Sequence, residues 1–337
     1  MGGIGANFEM PVCQIAPNVQ GNSWLKRPPS AISPFMKVFV TGGTGAIGRY
    51  AVSALVESGH SVTALARNEL KAAQLERQGA TSVSVSIFDR ARLAEVFVGH
   101  DAVVNLATAL PATADFRKID AWAENIRIRT EGSAAVVNAA CDAGVPRLIQ
   151  ESVSMIYRDH GSDWIDETWP TDDFPMARSN LAAEASANRF SANGHIGIVL
   201  RFGWFYGPGA KHSEEFLALA KKWRICLMMG AANTYVSSIH VADAGRAVVA
   251  ALNASAGTYN VVDDVPLSKR AFADAIANAA GRKYHLRAPG RIAHVLGDSA
   301  TSLTRSLRVS NAAFKRETGW TATYPSAREG WATMAAN

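Results

Sequence analysis

The sequence predicts an α/β fold in which a doubly wound parallel sheet is covered by helices on both faces. Segments of strand length alternate with segments of helix length along most of the chain, and the loops between them are short. Glycines stand where many of the helices are expected to end. The segment 102–106 is an almost continuous apolar run, which is typical of a parallel strand that is buried on both faces.

The first part of the chain shows the alternation most clearly. Strands are predicted over residues 37–40, 61–66, 81–87 and 102–106. Helices are predicted over residues 46–58, 69–78 and 90–98. Gly59, Gly79 and Gly99 follow these helices and mark their ends. Asp89 stands directly before the third helix, where its carboxylate is expected to cap the free backbone N–H groups.

The same pattern continues to about residue 253. A long helix over residues 119–143 is expected to end at Gly144, before a strand over residues 147–151. A helix over residues 176–191 precedes a strand over residues 196–201. A last helix, over residues 239–253, is expected to return to the main sheet.

The turn after the first strand carries the glycine series Gly42, Gly45 and Gly48. The first glycine permits a tight turn, the second lets the backbone approach a pyrophosphate, and the third lets the helix pack close to the sheet. The N-terminus of that helix would face the phosphates. The pattern therefore predicts a dinucleotide-binding Rossmann fold. The predicted cofactor-binding residues are Gly42, Thr44, Gly45, Ala46, Ile47, Gly48, Arg67, Ile87, Leu106 and Ala107.

The end of the second strand indicates which dinucleotide is bound. An acidic residue at this place would hold the ribose 2′-hydroxyl of NAD, whereas an arginine accommodates the 2′-phosphate of NADP. The segment here is Leu65-Ala66-Arg67-Asn68, without an acid, and Arg49 supplies a second cation beyond the glycine turn. The sequence therefore favours NADP, with NAD still possible.

Composition narrows the class of protein further. The 337 residues are 48% apolar and 19% charged, which suits a globular protein with a substantial core. The net charge of +5 is spread along the chain, so nucleic acid is not an expected partner. No apolar run reaches the length of a membrane span. Three widely spaced cysteines fit neither a disulfide framework nor a metal site, so we expect a cytoplasmic location and no metal.

Three units are expected. Residues 1–35 are predicted to be a disordered N-terminal arm, because prolines interrupt them and Met36 directly precedes the first strand. Residues 36–202 together with 238–262 would form the Rossmann domain. Residues 203–237 together with 263–337 would form a smaller substrate-binding lobe over the carboxyl ends of the strands.

Several segments in the expected order resemble the extended short-chain dehydrogenase/reductase superfamily, and within it the NAD-dependent epimerase/dehydratase branch. The segments are VTGGTGAIG (40–48), DAVVNLATA (101–109), GVPRLIQESVSMIY (144–157), LRFGWFYGPGA (200–210), SIHVADAGRAVVAAL (238–252) and GTYNVVDD (257–264). The resemblance implies a small-molecule substrate, such as a nucleotide sugar or another carbonyl or alcohol compound, and hydride transfer to or from a nicotinamide. In that family, a tyrosine and a lysine four residues later on a helix, with a serine or threonine after the fifth strand, handle the proton.

This chain departs from the family at all three of those positions. The resemblance aligns Met176 with the tyrosine, Asn180 with the lysine and Val153 with the serine. No tyrosine in the chain is followed four residues later by a lysine. The family's usual proton transfer is therefore not expected here.

Three interpretations follow from that departure. The first is an atypical oxidoreductase in which Tyr157 supplies the acid, Ser152 and Ser154 bond a substrate oxygen, and Trp204 and Tyr206 line the substrate pocket. The second is a catalytically inactive NADP(H)-binding sensor, regulator or assembly protein. The third is an enzyme that uses a bound cofactor for a purpose other than redox chemistry.

A homodimer is also expected as a possible state of the chain. The helices over residues 119–143 and 176–191 correspond to those that often form a dimer seam in the family. The second of them is rich in alanine, which permits close helix approach.

Overall fold

The computed structural model describes residues 35–116, 118–226, 228–282, 286–287 and 301–335. The predicted N-terminal arm, except for Phe35, lies outside these residues. In the described part of the chain no helix is both long and apolar enough to cross a lipid bilayer.

The strands occur in an order close to the prediction. They are β1 (Lys37–Thr41), β2 (Ser61–Leu65), β3 (Thr81–Val83), β4 (Ala102–Asn105), β5 (Arg147–Val153), β6 (Trp164–Ile165), β7 (Ile196–Phe202), β8 (Trp204–Tyr206), β9 (Ile225–Cys226), β10 (Tyr235–Val236), β11 (Ser238–His240), β12 (Gly257–Val261), β13 (Leu267–Ser268), β14 (Leu286–Arg287) and β15 (Arg308–Val309). Seven of them form one sheet in the order β12-β7-β5-β4-β1-β2-β3, and every neighbouring pair in it is parallel.

The α-helices connect these strands. They are α1 (Gly48–Glu57), α2 (Glu69–Arg77), α3 (Arg90–Phe97), α4 (Ala123–Arg127), α5 (Ser133–Asp142), α6 (Pro175–Ala192), α7 (Lys211–Trp223), α8 (Val241–Ala251), α9 (Lys269–Ala279), α10 (Thr301–Thr304), α11 (Ala312–Thr318) and α12 (Ala327–Ala332). Short 3₁₀ turns cover Thr113–Asp115, Ile119–Trp122 and Ser154–Ile156. The predicted doubly wound parallel α/β fold is thus confirmed.

Alternation of side chains along the strands explains why both faces of the sheet are covered. Val38 and Val40 of β1 pack on the side that carries α1 and α8, whereas Phe39 points to the opposite side. There it meets Phe97 of α3 with ring centroids 4.7 Å apart. All three strand residues are fully buried, so the two layers of helices are both fixed by the same strand.

Two predicted elements differ from the structure in ways that affect the site. The predicted strand over residues 81–87 ends at Val83, because β3 is an edge strand and the residues after it leave the sheet. The long helix predicted over residues 119–143 is helical throughout but not uniform. It contains a π-helical turn over Ile128–Gly132 between α4 and α5, and such turns are frequent at functional sites.

The residues predicted to form a smaller lobe contribute a second apolar cluster. It contains Tyr206, Leu217, Phe272, Ile276 and Trp331, together with smaller side chains. The boundaries of the predicted lobe stay a prediction.

Candidate functional site

The glycine turn joins β1 to α1 at the carboxyl edge of the sheet. Gly42 has φ of +70°, and a Cβ there would collide with the carbonyl of Leu106. A Cβ at Gly48 would collide with the carbonyl of Gly42. These two glycines are therefore required by the turn itself. Gly45 differs, because a Cβ there would meet only the Gly42 carbonyl, at 3.1 Å, and otherwise open space.

Two adjoining cavities open beside this turn. Cavity A has a volume of about 390 Å³ and lies over the ends of β1, β2 and β4. Cavity B has a volume of about 160 Å³ and lies between the turn, β5, α6 and the segment after β7. Gly45, Leu106 and Thr108 line both cavities. All ten residues predicted to bind the cofactor line one cavity or both: Gly42, Thr44, Gly45, Ala46, Ile47, Gly48, Arg67, Ile87, Leu106 and Ala107.

Cavity A carries two cationic side chains. Arg67 lies at the end of β2, as predicted, and Lys71 lies beside it in the first turn of α2. Lys71 was not predicted from the sequence, although it lies in the first turn of the helix that the Asn68 N-cap begins, directly after Arg67 and the end of β2. Arg49 lines neither cavity in the described structure. Its guanidinium instead donates to the carbonyl of Pro208 at 2.7 Å, so the expectation of a second cation there was wrong.

Cavity B is lined mainly by apolar and aromatic side chains. They are Ala46, Ile47, Leu106, Leu110, Phe116, Trp122, Val153, Met155, Ile156, Phe174, Met176, Trp204, Phe205 and Leu303. Its polar side chains, among the described residues, are Thr108, Asn125, Arg129, Glu151, Asn180 and His212. Such a lining suits a flat apolar ligand that is held by a few polar groups.

The three residues aligned with the family's proton-handling positions all line cavity B. Val153 ends β5, while Met176 and Asn180 lie one turn apart at the start of α6. The Nδ2 of Asn180 donates to the Met176 carbonyl at 2.8 Å. Because a carbonyl can only accept, this bond fixes the amide orientation, and the buried Oδ1 has no hydrogen-bond partner among the described residues.

Tyr157, Ser152 and Ser154 do not line either cavity. The hydroxyl of Tyr157 donates to Oδ1 of Asn260 and accepts from Nη1 of Arg201, both at 2.8 Å. Burial raises the pKa of Tyr157 to about 12, against the opposing effect of Arg201. The structure therefore gives Tyr157 a fully buried position behind the cavity and does not favour it as the acid.

The two serines are equally enclosed. Ser152 donates to Oε1 of Glu184 at 2.6 Å, and that carboxylate also accepts two bonds from Arg201. Ser154 is buried in the turn after β5, and its hydroxyl has no partner among the described residues. Ser152 points away from cavity B because alternate residues of β5 point to opposite faces of the sheet, and its neighbours Glu151 and Val153 line the cavity.

A buried ion pair forms part of the wall of cavity B. Arg129, in the π-helical turn, donates to both carboxylate oxygens of Glu151 at 2.9 Å and to the Glu151 carbonyl at 2.7 Å. Burial raises the pKa of the Glu151 carboxyl, and the Arg129 guanidinium opposes that rise. This pair was not predicted from the sequence, because residues 22 positions apart meet only through the fold.

His212 and Trp204 lie side by side in the lining of cavity B. The Nε2 of His212 is 2.5 Å from the carbonyl of Phe205, which requires the proton to be on Nε2. Burial lowers the pKa of His212, so the ring is neutral near pH 7. Trp204 lines cavity B as predicted. Tyr206, by contrast, is fully buried against Trp331 and donates to the Ser326 carbonyl, so it has a packing role.

These features fit a dinucleotide cofactor. The two cavities share Gly45 in their linings, and a Cβ there would meet only the Gly42 carbonyl within 4 Å. Arg67, Lys71 and Glu124 line cavity A, and mainly apolar side chains line cavity B. In the described residues no group of three or more His, Cys, Asp or Glu side chains is arranged to hold a metal ion.

Comparisons with known proteins agree with this geometry. The model of the NAD dependent epimerase/dehydratase family matches residues 38–262. A 3-diazoavenalumate denitrifying reductase from Streptomyces sp is 33% identical over 307 residues, which cover 88% of this chain and 99% of that protein. A 4-hydroxy-2-methyl-3-oxo-4-farnesyl-3,4-dihydroquinoline-1-oxide ketoreductase from Stigmatella aurantiaca is 27% identical over 279 residues, covering 81% and 82%.

The fold also occurs in a solved structure with a nicotinamide cofactor. The human epimerase family protein SDR39U1 with NADPH superposes with a TM-score of 0.72, at 23% identity, over 90% of this chain and 100% of that one. At that identity the likeness concerns the fold.

Proposed function

The chain belongs to the NAD-dependent epimerase/dehydratase family, and from this premise we propose that it is an NADP(H)-dependent reductase whose hydride acceptor needs no proton from the protein. One observation carries the proposal. The positions that handle the proton in the family are aligned with Val153, Met176 and Asn180, and all three side chains line cavity B. None of the three can transfer a proton at neutral pH.

The other polar groups of cavity B do not replace the missing acid. The Thr108 hydroxyl donates to Oδ1 of Asn125 at 2.7 Å. Glu151 is ion-paired with Arg129, and the proton of neutral His212 is directed at a backbone carbonyl. Reduction of a ketone would create an alkoxide that needs a proton donor. Among the described residues, cavity B therefore suits an acceptor that becomes neutral on gaining hydride.

Diazo compounds are the acceptor class that we favour. The relative from Streptomyces is named for a denitrifying reduction of a diazo compound. A bound reduced nicotinamide supplies hydride, and an arenediazonium that gains hydride at carbon releases N₂ and yields a neutral arene. No atom of the product requires a proton in that reaction. The chain's own residues then need only to bind the acceptor, orient it and exclude water.

The preference for NADP over NAD rests on the outer end of cavity A. Arg67 and Lys71 both line it, and the segment Leu65-Ala66-Arg67-Asn68 at the end of β2 contains no acidic residue. Two cations at this place would hold a 2′-phosphate by charge-assisted hydrogen bonds.

The test compares acceptors under otherwise equal conditions. Purified full-length protein is mixed with NADPH and, in turn, an arenediazonium salt, an iminium salt, a ketone and an aldehyde, and loss of the reduced nicotinamide is followed by absorbance. We expect turnover of the arenediazonium and little of the carbonyl compounds. The control is Gly45→Val protein, which reveals the rate of direct chemical reduction without a bound cofactor.

Two outcomes would contradict the proposal. Fast reduction of ketones, as the name of the ketoreductase relative suggests for that protein, would show that a proton donor exists. Tight binding of NADPH without turnover of any acceptor would favour the non-catalytic interpretation, in which the protein is a sensor or regulator.

A further inference from the structure

Cavity B has features of a binding site for a cation, and this inference rests on the proposed reductase function. We propose that cavity B selects a flat electrophile that carries a positive charge, and that Asn180 is the residue that permits this selection.

The charges around cavity B cancel in the described structure. Arg129 and Glu151 are the charged side chains that line it among the described residues, and they neutralise one another. The neutral ring of His212 adds no charge. Behind the lining residue Phe174 stands Arg305, and its guanidinium is paired with Asp172. A cationic ligand would therefore meet no uncompensated positive charge.

Asn180 removes the charge that the family places at this point. A lysine there would put an ammonium group into the cavity, where it would repel a cation. Asn180 lines the cavity without a charge, and its Oδ1 is the negative end of the amide dipole. Among the described residues that oxygen has no hydrogen-bond partner, and Asn180 is only 6% exposed. A buried acceptor without a partner is unfavourable, and a positive charge in the adjoining cavity would stabilise it electrostatically.

The aromatic side chains that line cavity B also favour a cationic ligand. Phe116, Trp122, Trp204 and Phe205 all contribute to the wall of cavity B. The faces of aromatic rings attract cations, most strongly in tryptophan, and do so more strongly where water is excluded. Apolar lining alone would also admit neutral ligands, so the selectivity depends on the combination of rings, Asn180 and the missing ammonium group.

A cationic acceptor also accounts for the missing proton donor. When a neutral hydride donor reduces a cation, a C–H bond forms and the positive charge passes to the donor, so the total charge in the cavity does not change. No side chain has to neutralise a new anion. Met176 in place of the family's tyrosine removes the proton donor, and Asn180 in place of the lysine removes the charge that would repel a cation.

The experiment measures binding of two probes of equal shape. N-methylpyridinium and its neutral isostere toluene are titrated into the full-length protein saturated with NADPH, by calorimetry. We expect the cation to bind at least about tenfold more tightly than toluene. In Asn180→Lys protein we expect binding of the cation to weaken by about 10–100-fold, with little change for toluene.

A matched variant separates local from general effects of charge. Asn193→Lys adds the same charge at the C-terminal end of the same helix, α6, outside both cavities. It should leave the ratio of the two affinities unchanged. Asn180→Leu removes the free oxygen without adding charge and should give an intermediate ratio, which provides a second test if Asn180→Lys does not fold.

The outcomes distinguish this inference from the proposed function. Equal binding of the two probes to the wild-type protein, or an unchanged ratio in Asn180→Lys, would overturn the inference even if an arenediazonium is reduced. Preference for the cation without reduction of any acceptor would support the inference and overturn the proposed function.

Discussion

Replacing Tyr157 by phenylalanine separates catalysis from stability most clearly. The ring of Tyr157 is fully buried, and its hydroxyl bridges Asn260 and Arg201 at 2.8 Å on each side. Tyr157→Phe keeps the ring and removes both bonds. Because the hydroxyl lies outside cavity B, we expect the protein to lose stability while the rate of hydride transfer per folded molecule is unchanged.

The expected loss in the free energy of unfolding follows from the polar groups that lose their hydrogen bonds. Oδ1 of Asn260 loses its hydrogen bond, and Nδ2 of the same residue has no partner in the described structure. Arg201 loses one acceptor but keeps two bonds to Glu184, at 2.7 and 2.9 Å. An unsatisfied buried polar group costs about 1–3 kcal/mol. We therefore expect the free energy of unfolding to fall by about 2–4 kcal/mol.

Urea unfolding gives the stability, and oxidation of NADPH by the accepted substrate gives the rate. The matched control is Tyr259→Phe, because the Tyr259 hydroxyl makes a single 3.2 Å bond to the Ser255 carbonyl in an exposed setting. It should change the free energy of unfolding by less than about 1 kcal/mol. A large loss of rate in Tyr157→Phe with wild-type stability would refute this reasoning and restore Tyr157 as the acid.

Three further predictions concern the cofactor site and pH. Gly45→Val should abolish NADPH binding in a fluorescence titration with little loss of stability, since Gly45 lies beside open space; tight residual binding would contradict the site. The double variant Arg67→Ala and Lys71→Ala should weaken NADPH binding by about tenfold or more and leave NADH binding nearly unchanged; equal effects on both would remove the proposed preference. Burial lowers the pKa of His240 from 6.5 to about 4. Between pH 6.5 and 4, His240 therefore binds a proton in the unfolded chain but stays neutral in the folded protein. Stability should therefore fall by about 3 kcal/mol as the pH is lowered from 6.5 to 4, and His240→Gln should show a smaller fall in urea unfolding across the same window.

The features that depend on local patterns could be predicted from the sequence. Gly42 and Gly48 are required by the close approach of β1, β4 and α1, and Asp89 caps α3 by accepting from the backbone N–H of Arg92. The acid-free end of β2 placed Arg67 beside cavity A. Each of these features is encoded within a few consecutive residues.

The features that the sequence did not predict depend on contacts between distant segments. Arg129 meets Glu151 only because the π-helical turn and β5 pack together. Tyr157 follows the fifth strand, as predicted, but its hydroxyl is held by residues 44 and 103 positions further along the chain. Those partners, and not the place of Tyr157 in the sequence, direct it away from cavity B.

The alanine-rich sequence of α6 does not distinguish a homodimer from packing within one chain. In α6, Ala177, Ala183 and Ala187 are fully buried within the single chain, whereas Ala185 is exposed. Close packing of small residues against the chain's own elements and packing against a second copy require the same pattern. The homodimer therefore stays a prediction.

In the proposed reaction, hydride reaches its acceptor without proton transfer from the protein. The most direct measurement is the single-turnover rate of NADPH oxidation by an arenediazonium in H₂O and in D₂O, with the enzyme in excess. We predict equal rates in the two solvents, because no exchangeable proton moves in the step. A rate that is clearly slower in D₂O would contradict the claim and would show that this cavity contains a working acid.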